Sequence, residues 1–580
     1  MVAMAVGLMI VAGRLVWVQG LASDRYVALA ATQRERRATL PAERGSILDR
    51  EGHTLAMSTM AQTIYANPRF VPDARTAAAR LAPVLGRPPE ELAQKLGGKR
   101  GFVYLARKVD DETASRVKAL GIPGVDAMRE PKRLYPAGQL AAHVLGFVGT
   151  DNAGLAGLES YYDRHLAGRP GEMVIERDPQ GRSIPSGKSR LIPPSRGDDL
   201  VLTIDSDIQY AAEAALAKAV ETFRAQGGSV LVMRPDTGEI LAIANLPTFD
   251  PNDFGAASGR DRRNRALIEV YEPGSANKVI TAAAALESGT IGTSEVLAVP
   301  DNLRVANKTF HDSHPHPVLR LTFPEVIEQS SNIGTIKVAL RLGKERLHEY
   351  LARFGYGAVT GIAFPGESPG LLTPPDRWWP TQLGTAAIGQ SVAVTPLQIM
   401  SVYATVANGG VWVQPSLASG MIGPGGRGRP APAPPTRRVI MEETASTVAG
   451  MLVRVVEGEH GTGEKAAIPG YQVAGKTGTA QKPIPGGRGY SGYVGSFIGF
   501  APAADPKLVV GVILDEPRPI WGGVTAAHTF KEVMQFSLRH LGIGPGPVLR
   551  PGGTPLPALG RSGGAAPYVP GEPAAPDATE

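Results

Sequence analysis

Strand-like runs stand at both ends of one long stretch of this chain, with helical patterns between them, and no other feature restricts the fold as strongly. Residues 200–204, 228–233 and 240–244 read as strands, the last two around the hairpin signal Pro235-Asp236-Thr237-Gly238. Far downstream, 494–500 and 508–514 form a second hairpin-like pair joined through Pro502 and Pro506, ahead of a final helix expected from about 525 to 541. Residues 207–223 are amphipathic, their apolar side chains returning every three or four positions. Strands this distant in sequence bury their apolar faces by joining one sheet, and the helices between them then cover it. The expectation is a domain over 196–541 built as an antiparallel sheet covered by helices.

At 580 residues the chain exceeds one ordinary domain, and 43% apolar with 20% charged residues is the balance of a folded protein. In the segment 23–195, Arg44-Gly45-Ser46-Ile47-Leu48-Asp49-Arg50-Glu51-Gly52 reads as a strand and a turn leading to another strand at 54–56. Helical periodicity follows over 73–85, 89–96 and 112–120. This predicts a mixed α+β pedestal that spaces or presents the domain after it, so the whole reads as an α/β multidomain protein. From 542 to 580 Gly, Pro and Ala dominate, with too few large apolar side chains to offset the entropy of ordering, so a disordered tail is expected there.

The chain has no cysteine, which excludes disulfides, thiolate catalysis and sulfur-bound zinc. A net charge of +6 is slight for this length, and no Lys/Arg cluster alternates with aromatics, so nothing argues for nucleic acid.

Residues 1–13 are uncharged and nearly all apolar, and Arg14 precedes a further, mostly apolar stretch to Ala22. Thirteen helical residues rise only about 20 Å, short of a hydrocarbon core of roughly 30 Å. The full 1–22 spans if Arg14 snorkels to a headgroup or faces another membrane helix. A signal peptide fits less well, because there is no basic start and no clear small-x-small cleavage site. A membrane anchor over 1–22 is therefore expected. Arg34, Arg36 and Arg37 follow it and no basic residue precedes it, which taken literally would leave the large domain in the cytoplasm. A natural start upstream of Met1 would account for both the short helix and the missing basic flank.

Three short polar elements carry the chemistry. The first is Tyr271-Glu272-Pro273-Gly274-Ser275-Ala276-Asn277-Lys278, ahead of the apolar helical run 279–286. Pro273 and Gly274 mark a helix entry, which places Ser275 in its first turn. Positions i and i+3 share a helical face, so Lys278 is expected to reach the Ser275 hydroxyl. A lysine takes a hydroxyl proton only if burial or adjacent positive charge pulls its pKa down. Free N–H groups at a helix start also suit an oxyanion. Alone, this element is more often an N-capping serine with a solvated lysine.

The second element, Gln329-Ser330-Ser331-Asn332, follows a helical stretch at 323–329 and by itself reads as a polar turn or helix cap. Ser330 and Asn332 would point the same way from a short turn. The third, Ala474-Gly475-Lys476-Thr477-Gly478-Thr479-Ala480, follows the strand-like 471–473. Strand alternation puts Lys476 and Gly478 on one face and Thr477 and Thr479 on the other. A peptide can add itself as a strand to such an edge, with Gly478 keeping the approach clear and Lys476 and the threonines meeting a carboxylate. Gly470 completes a phosphate-loop pattern, but the segment after Lys476 reads extended where that loop needs a helix. His311, His314 and His316 have metal-like spacing, but Pro315 stiffens the stretch and Asp312 is its one carboxylate, so a polar surface loop is expected and no metal site.

In this order the three elements resemble the signature of the penicillin-binding proteins, Ser-x-x-Lys, Ser-x-Asn and Lys-Thr-Gly. The likeness extends to Arg44–Arg50, to Gly154-x-x-Gly157-x-Glu159 and to Tyr271–Ser275, which look like the monofunctional, high-molecular-weight class B members. The run Lys476-Thr477-Gly478-Thr479-Ala480-Gln481 is similar to the septal, cell-division type. The resemblance covers about residues 14–541. It implies a dimerisation-type pedestal over 23–195 and then a penicillin-binding, serine beta-lactamase-like transpeptidase domain.

It also implies that Ser275 attacks the penultimate D-alanine carbonyl of a donor stem peptide while Lys278 acts as general base. The Ser275 and Thr479 N–H groups would form the oxyanion hole, and Ser330 with Lys476 would manage protons at the leaving nitrogen. Asn332 would hold the donor amide, Gly478 would keep the strand edge open, and Thr477 and Thr479 would bind the terminal carboxylate. An acceptor amine then completes the cross-link. Beta-lactams would acylate Ser275 and stay. No cofactor is implied. The implied partners are peptidoglycan stem peptides, a glycan-polymerising membrane glycosyltransferase and divisome proteins, at the cell membrane, with one span and the catalytic domain outside the cytoplasm. Ala276-Asn277 departs from the commoner Thr-Phe pair, and a packing difference is expected there. A D,D-carboxypeptidase, a beta-lactam-sensing receptor or a non-catalytic cell-wall scaffold are the rival readings.

Overall fold

The strands at the two ends of the catalytic part do meet. In this computed structural model, which describes residues 2–22, 35–176, 189–484 and 489–549, five strands form one sheet: β1 (Gly227–Met233), β2 (Ile240–Leu246), β3 (Ala474–Pro483), β4 (Tyr490–Ala501) and β5 (Leu508–Asp515). They lie in the order β2-β1-β5-β4-β3, every pair antiparallel. Alternate residues feed two cores. Leu231, Ile243, Ile498 and Ile513 face one, while Val230, Val232, Phe497 and Val512 face the other.

Helices α1 (Ser206–Thr222) and α6 (Ala526–His540) cover the second face. The first is covered by α2 (Lys278–Glu287), α3 (Asn332–Leu342), α4 (Pro396–Ala407) and α5 (Glu442–Glu457). Ile280 and Phe530 are fully inaccessible, and burying a side chain of that kind stabilises by about 1.5–3 kcal/mol before its ordering entropy is counted. Start signals sit where helices begin: Asp205 accepts from the Ile208 N–H, and Thr395 and Gln398 form a reciprocal capping box. Strand β3 pairs only with β4, so among the described residues its outer edge carries no strand.

The strand expected at 200–204 does not join this sheet. Asp199–Leu202 runs parallel to Ile47–Leu48 and antiparallel to Ala418–Ile422, within a seven-stranded sheet that continues into the pedestal strands Thr54–Ala66, Val103–Val109 and Val125–Leu134. Catalytic part and pedestal are therefore stitched by backbone hydrogen bonds. Ala74–Leu85, Pro89–Leu96 and Asp111–Ala119 close a separate small core around Ile64, Leu81, Leu92 and Leu105.

The pedestal motifs turn out to be structural. Arg44 Nε and Arg133 Nε each donate to the buried Glu159 carboxylate at 2.6 Å, and Arg44 also reaches Asp163 at 2.6 Å. A side chain on Gly45 would stand 1.9 Å from the Asp198 carbonyl oxygen, so the chain crossing there requires glycine.

Val2–Val16 is helical and continues in a wider turn to Leu21, and Val2–Gly20 is long and apolar enough to cross a membrane, with mean hydropathy 1.8. The Arg14 guanidinium lies over the Trp17 ring at 4.5 Å. Most of the expected tail, 550–580, lies outside the described residues. Its start is a correction to the reading of 542–580 as disordered. The Leu549 side chain is buried, its N–H donates to Gln472 Oε1 at 2.7 Å, and the Ile543 carbonyl accepts from the Tyr471 hydroxyl at 2.6 Å.

Candidate active site

Pro273 leads into a 3-10 turn, Gly274–Asn277, which becomes α2 at Lys278, so Ser275 sits half-buried at the head of an otherwise buried helix. Three bonds hold the turn. Tyr403 donates its hydroxyl to the Ala276 carbonyl at 2.9 Å, Asn277 Nδ2 donates to Ala386 O at 2.9 Å, and Thr281 donates to Ala387 O at 2.8 Å. The Ala276-Asn277 pair is thus a packing feature, with both side chains pointing into the domain.

Lys278 is fully inaccessible, and its amine donates to Ser330 O at 2.5 Å, to Asn332 Oδ1 at 2.8 Å and to Ser330 Oγ at 3.3 Å. The expected bond from Lys278 to the Ser275 hydroxyl is not among those formed in the described residues; the amine is committed to the second motif instead. Burial pulls the Lys278 pKa down to about 7, against a smaller upward pull from Asp312.

Ser330 lies at a positive φ of 59°, rare for a residue with a side chain, in the corner between Phe323–Glu328 and α3. Ser331 caps α3, accepting from the Gly334 N–H at 2.9 Å. Ser331 thus serves as the helix cap, while Ser330 and Asn332 face the Lys278 amine. The group that locks the corner is Asp312. It accepts from Ser331 Oγ at 2.7 Å, from the Ile333 N–H at 3.0 Å and from the Asn332 N–H, and His316 Nε2 lies 3.1 Å from it. His311 contributes its carbonyl, which accepts from Asn332 Nδ2 at 3.0 Å, while His314 turns towards Trp521. The histidines do not converge on one point. Their stretch is more than a loop, because it docks the second motif.

Along β3, Lys476 is fully inaccessible, and its pKa is driven well below the usual lysine value by burial first and by Lys278 second. A side chain on Gly478 would meet Ser496 Oγ at 2.2 Å and the Pro273 carbonyl at 3.1 Å, so β3 lies flush against the nucleophile turn. Thr477 bonds to the Thr462 hydroxyl at 2.9 Å and Thr479 accepts from the Gly522 N–H at 3.2 Å, but the Lys476 amine curls back to donate to Thr477 Oγ1 at 3.3 Å, so alternation along the strand does not separate these two side chains. Three motifs from distant parts of the chain thus surround one serine with two buried amines, beside an open strand edge. A neutral amine keeps two N–H donors and a lone pair, which is what proton removal from a hydroxyl needs. Elsewhere, Glu51, Asp205 and His540 bring potential cation ligands together where pedestal and catalytic part meet. There His540 already pairs with Asp205 at 3.2 Å, and Asp205 caps α1.

Residues 228–535 match the family described as penicillin binding protein transpeptidase domain, and 39–202 match the penicillin-binding protein dimerisation domain. The chain is 37% identical to the probable peptidoglycan D,D-transpeptidase PenA of Neisseria meningitidis, over 88% of this chain and 86% of that protein. To the peptidoglycan D,D-transpeptidase FtsI of Escherichia coli it is 33% identical, over 92% of this chain and 90% of that one. The crystal structure of penicillin binding protein 3 from Mycobacterium tuberculosis complexed with aztreonam superposes with a TM-score of 0.69 at 32% identity, covering 88% of this chain and 98% of that one. Fold, site and likeness together define a serine acyl-transfer protein of the beta-lactam-binding kind. The chain belongs to the penicillin-binding proteins, as a class B member whose dimerisation domain precedes its transpeptidase domain.

Proposed function

We propose that Ser275 is the nucleophile of a peptidoglycan D,D-transpeptidase that cross-links stem peptides during cell-wall synthesis at the septum. The observation that carries this is the buried Lys278 amine held between Ser330 and Asn332. With both donors engaged, the neutral amine turns its lone pair to the Ser275 proton as the oxygen attacks the penultimate D-alanine carbonyl. The Ser275 N–H, in the first turn of its helix, and the Thr479 N–H on the strand edge meet the oxyanion. The proton held by Lys278 passes through Ser330, with Lys476 alongside, to the nitrogen of the departing D-alanine as its C–N bond breaks. Thr477 and Thr479 hold the terminal carboxylate and Asn332 the donor amide. An acceptor amine then attacks the ester, forms the new amide and returns the proton to Ser275.

A beta-lactam opens on the same oxygen and leaves no departing group to make room for the acceptor. The apolar helix Val2–Gly20 anchors the chain with the catalytic domain outside the cytoplasm, where the pedestal presents it to a glycan-polymerising glycosyltransferase and divisome proteins.

Incubation with a labelled penicillin, beside a Ser275→Ala form, tests the nucleophile: a serine-dependent adduct is expected, and its absence rules out acyl transfer at Ser275. Donor and acceptor peptides in one tube then separate cross-linking from carboxypeptidase hydrolysis, and chemical labelling of intact cells at an engineered surface cysteine reads the topology.

A further inference from the structure

One of the three histidines ahead of the second motif is built into the site. His316 lies between the short strands Lys308–His311 and Leu319–Thr322, its side chain 16% exposed. Its Nδ1 is 2.7 Å from the Pro317 carbonyl oxygen and its Nε2 is 3.1 Å from Asp312 Oδ2. A backbone carbonyl has no proton to give, and neither has a carboxylate. Both ring nitrogens must therefore donate, which a neutral imidazole, with its one N–H, cannot do. The contacts call for the imidazolium, paired with a carboxylate that is itself largely buried. The Pro317 carbonyl first, and then Asp312, raise the His316 pKa against the effect of burial, and Asp301 adds to them by charge.

Asp312 carries this charge to the base. Its Oδ2 also accepts from Ser331 Oγ, and its Oδ1 takes the Asn332 and Ile333 N–H groups, so it fixes the corner from which Ser330 and Asn332 grip the Lys278 amine. While burial lowers Lys278, Asp312 pulls it the other way. A bare carboxylate favours the protonated amine more than one already paired with a cation. The neighbouring histidines supply no such cation: His311 acts through its carbonyl on Asn332, and His314 turns towards Trp521. We propose that His316 is a positioning residue of the acyl-transfer site, an imidazolium that offsets the charge of Asp312, holds it against the start of α3, and so favours the neutral, proton-accepting form of Lys278. The inference rests on the reading of Ser275 and Lys278 given above.

The test is the second-order rate of Ser275 acylation by a labelled penicillin at pH 6 and at pH 8.5. It is read in the full-length protein, in His316→Gln, in His316→Lys, in Asp312→Asn and in the double variant D312N/H316Q. Without the cation, Asp312 draws Lys278 towards its charged form, so H316Q is expected to lower the ratio of the pH 6 rate to the pH 8.5 rate at least about threefold. H316K, which restores a cation without the ring, is expected to restore the ratio. H316Q is expected to change nothing further once D312N has removed the carboxylate. A side chain that only fills space would lower stability and leave these ratios alone. If H316Q does not fold, isotope-labelled histidine is read by NMR in the wild type, the His316 signal being the one absent from H316K. At pH 6.5, where an ordinary histidine is about half protonated, His316 is expected to be chiefly the imidazolium. An H316Q ratio equal to that of the wild type, a ratio that H316K does not restore, an equal shift in the D312N background, or a neutral His316 at pH 6.5 overturns the inference and leaves Ser275 as nucleophile. Failure of the wild type to be labelled at Ser275 overturns the nucleophile reading, and this inference with it.

Discussion

With Lys278 as the proposed base, raising the pH from 5.5 to neutrality is expected to speed acylation of Ser275 up to about tenfold per unit, with a plateau above, because burial brings that lysine to about 7. Burial takes Lys278 from 10.5 to about 7. At pH 7 an ordinary lysine is neutral in roughly one molecule in three thousand, whereas Lys278 is neutral in about half, a gain in available base on the order of a thousandfold. The assay is the second-order rate constant for a labelled penicillin between pH 5.5 and 9, with an uncharged reporter of folding followed in parallel. The same displacement acts on stability. The folded pKa lies below the unfolded one, so the unfolded state binds more protons between about 7 and 10.5 and stability rises with pH across that window. A flat rate profile, or one still climbing at pH 9, would refute Lys278 as the base.

Other perturbations reach other parts of the molecule. Asp312→Asn removes the pull that raises Lys278, so the midpoint of the same profile should move down. Loss of the charged acceptor for Ser331 and the α3 N–H groups should also cost about 1–3 kcal/mol in denaturant unfolding. Gly478→Ala puts a methyl 2.2 Å from Ser496 Oγ on β4 and 3.1 Å from the Pro273 carbonyl at the nucleophile turn, and the displacement needed to relieve both should lower stability by about 1–3 kcal/mol and slow penicillin acylation more than tenfold. Arg44→Ala strips one partner from buried Glu159 and should destabilise the pedestal by about 3–5 kcal/mol, seen in thermal unfolding, while the penicillin adduct at Ser275 still forms.

Much of the site is legible in the amino-acid sequence. Ser275, Lys278, Ser330, Asn332 and Lys476 stand out as spaced polar residues beside apolar helical or strand-like runs, whereas alternation puts Thr477 opposite Lys476 and the folded chain bends the lysine amine back to the Thr477 hydroxyl. Asp312 does not stand out, although it lies beside His311, because its value comes from meeting the start of α3. His316 is visible too, but a ring with an acceptor at each nitrogen is a property of surroundings that no spacing reports. Helical spacing implies a direct Ser275–Lys278 bond, which the structure does not form among the described residues, since Ser330 and Asn332 compete for the amine.

Local patterns alone determine which segments are strands and helices and which residues bear chemistry, because periodicity and turn residues act over a few positions. Only the tertiary structure decided that Asp199–Leu202 pairs with the pedestal, that Leu549 is held against the domain, and that two lysines far apart in sequence are buried close enough to act on each other. Those outcomes depend on long-range burial and on competition for hydrogen bonds, and burial also shifts the amines towards the neutral form that proton transfer requires.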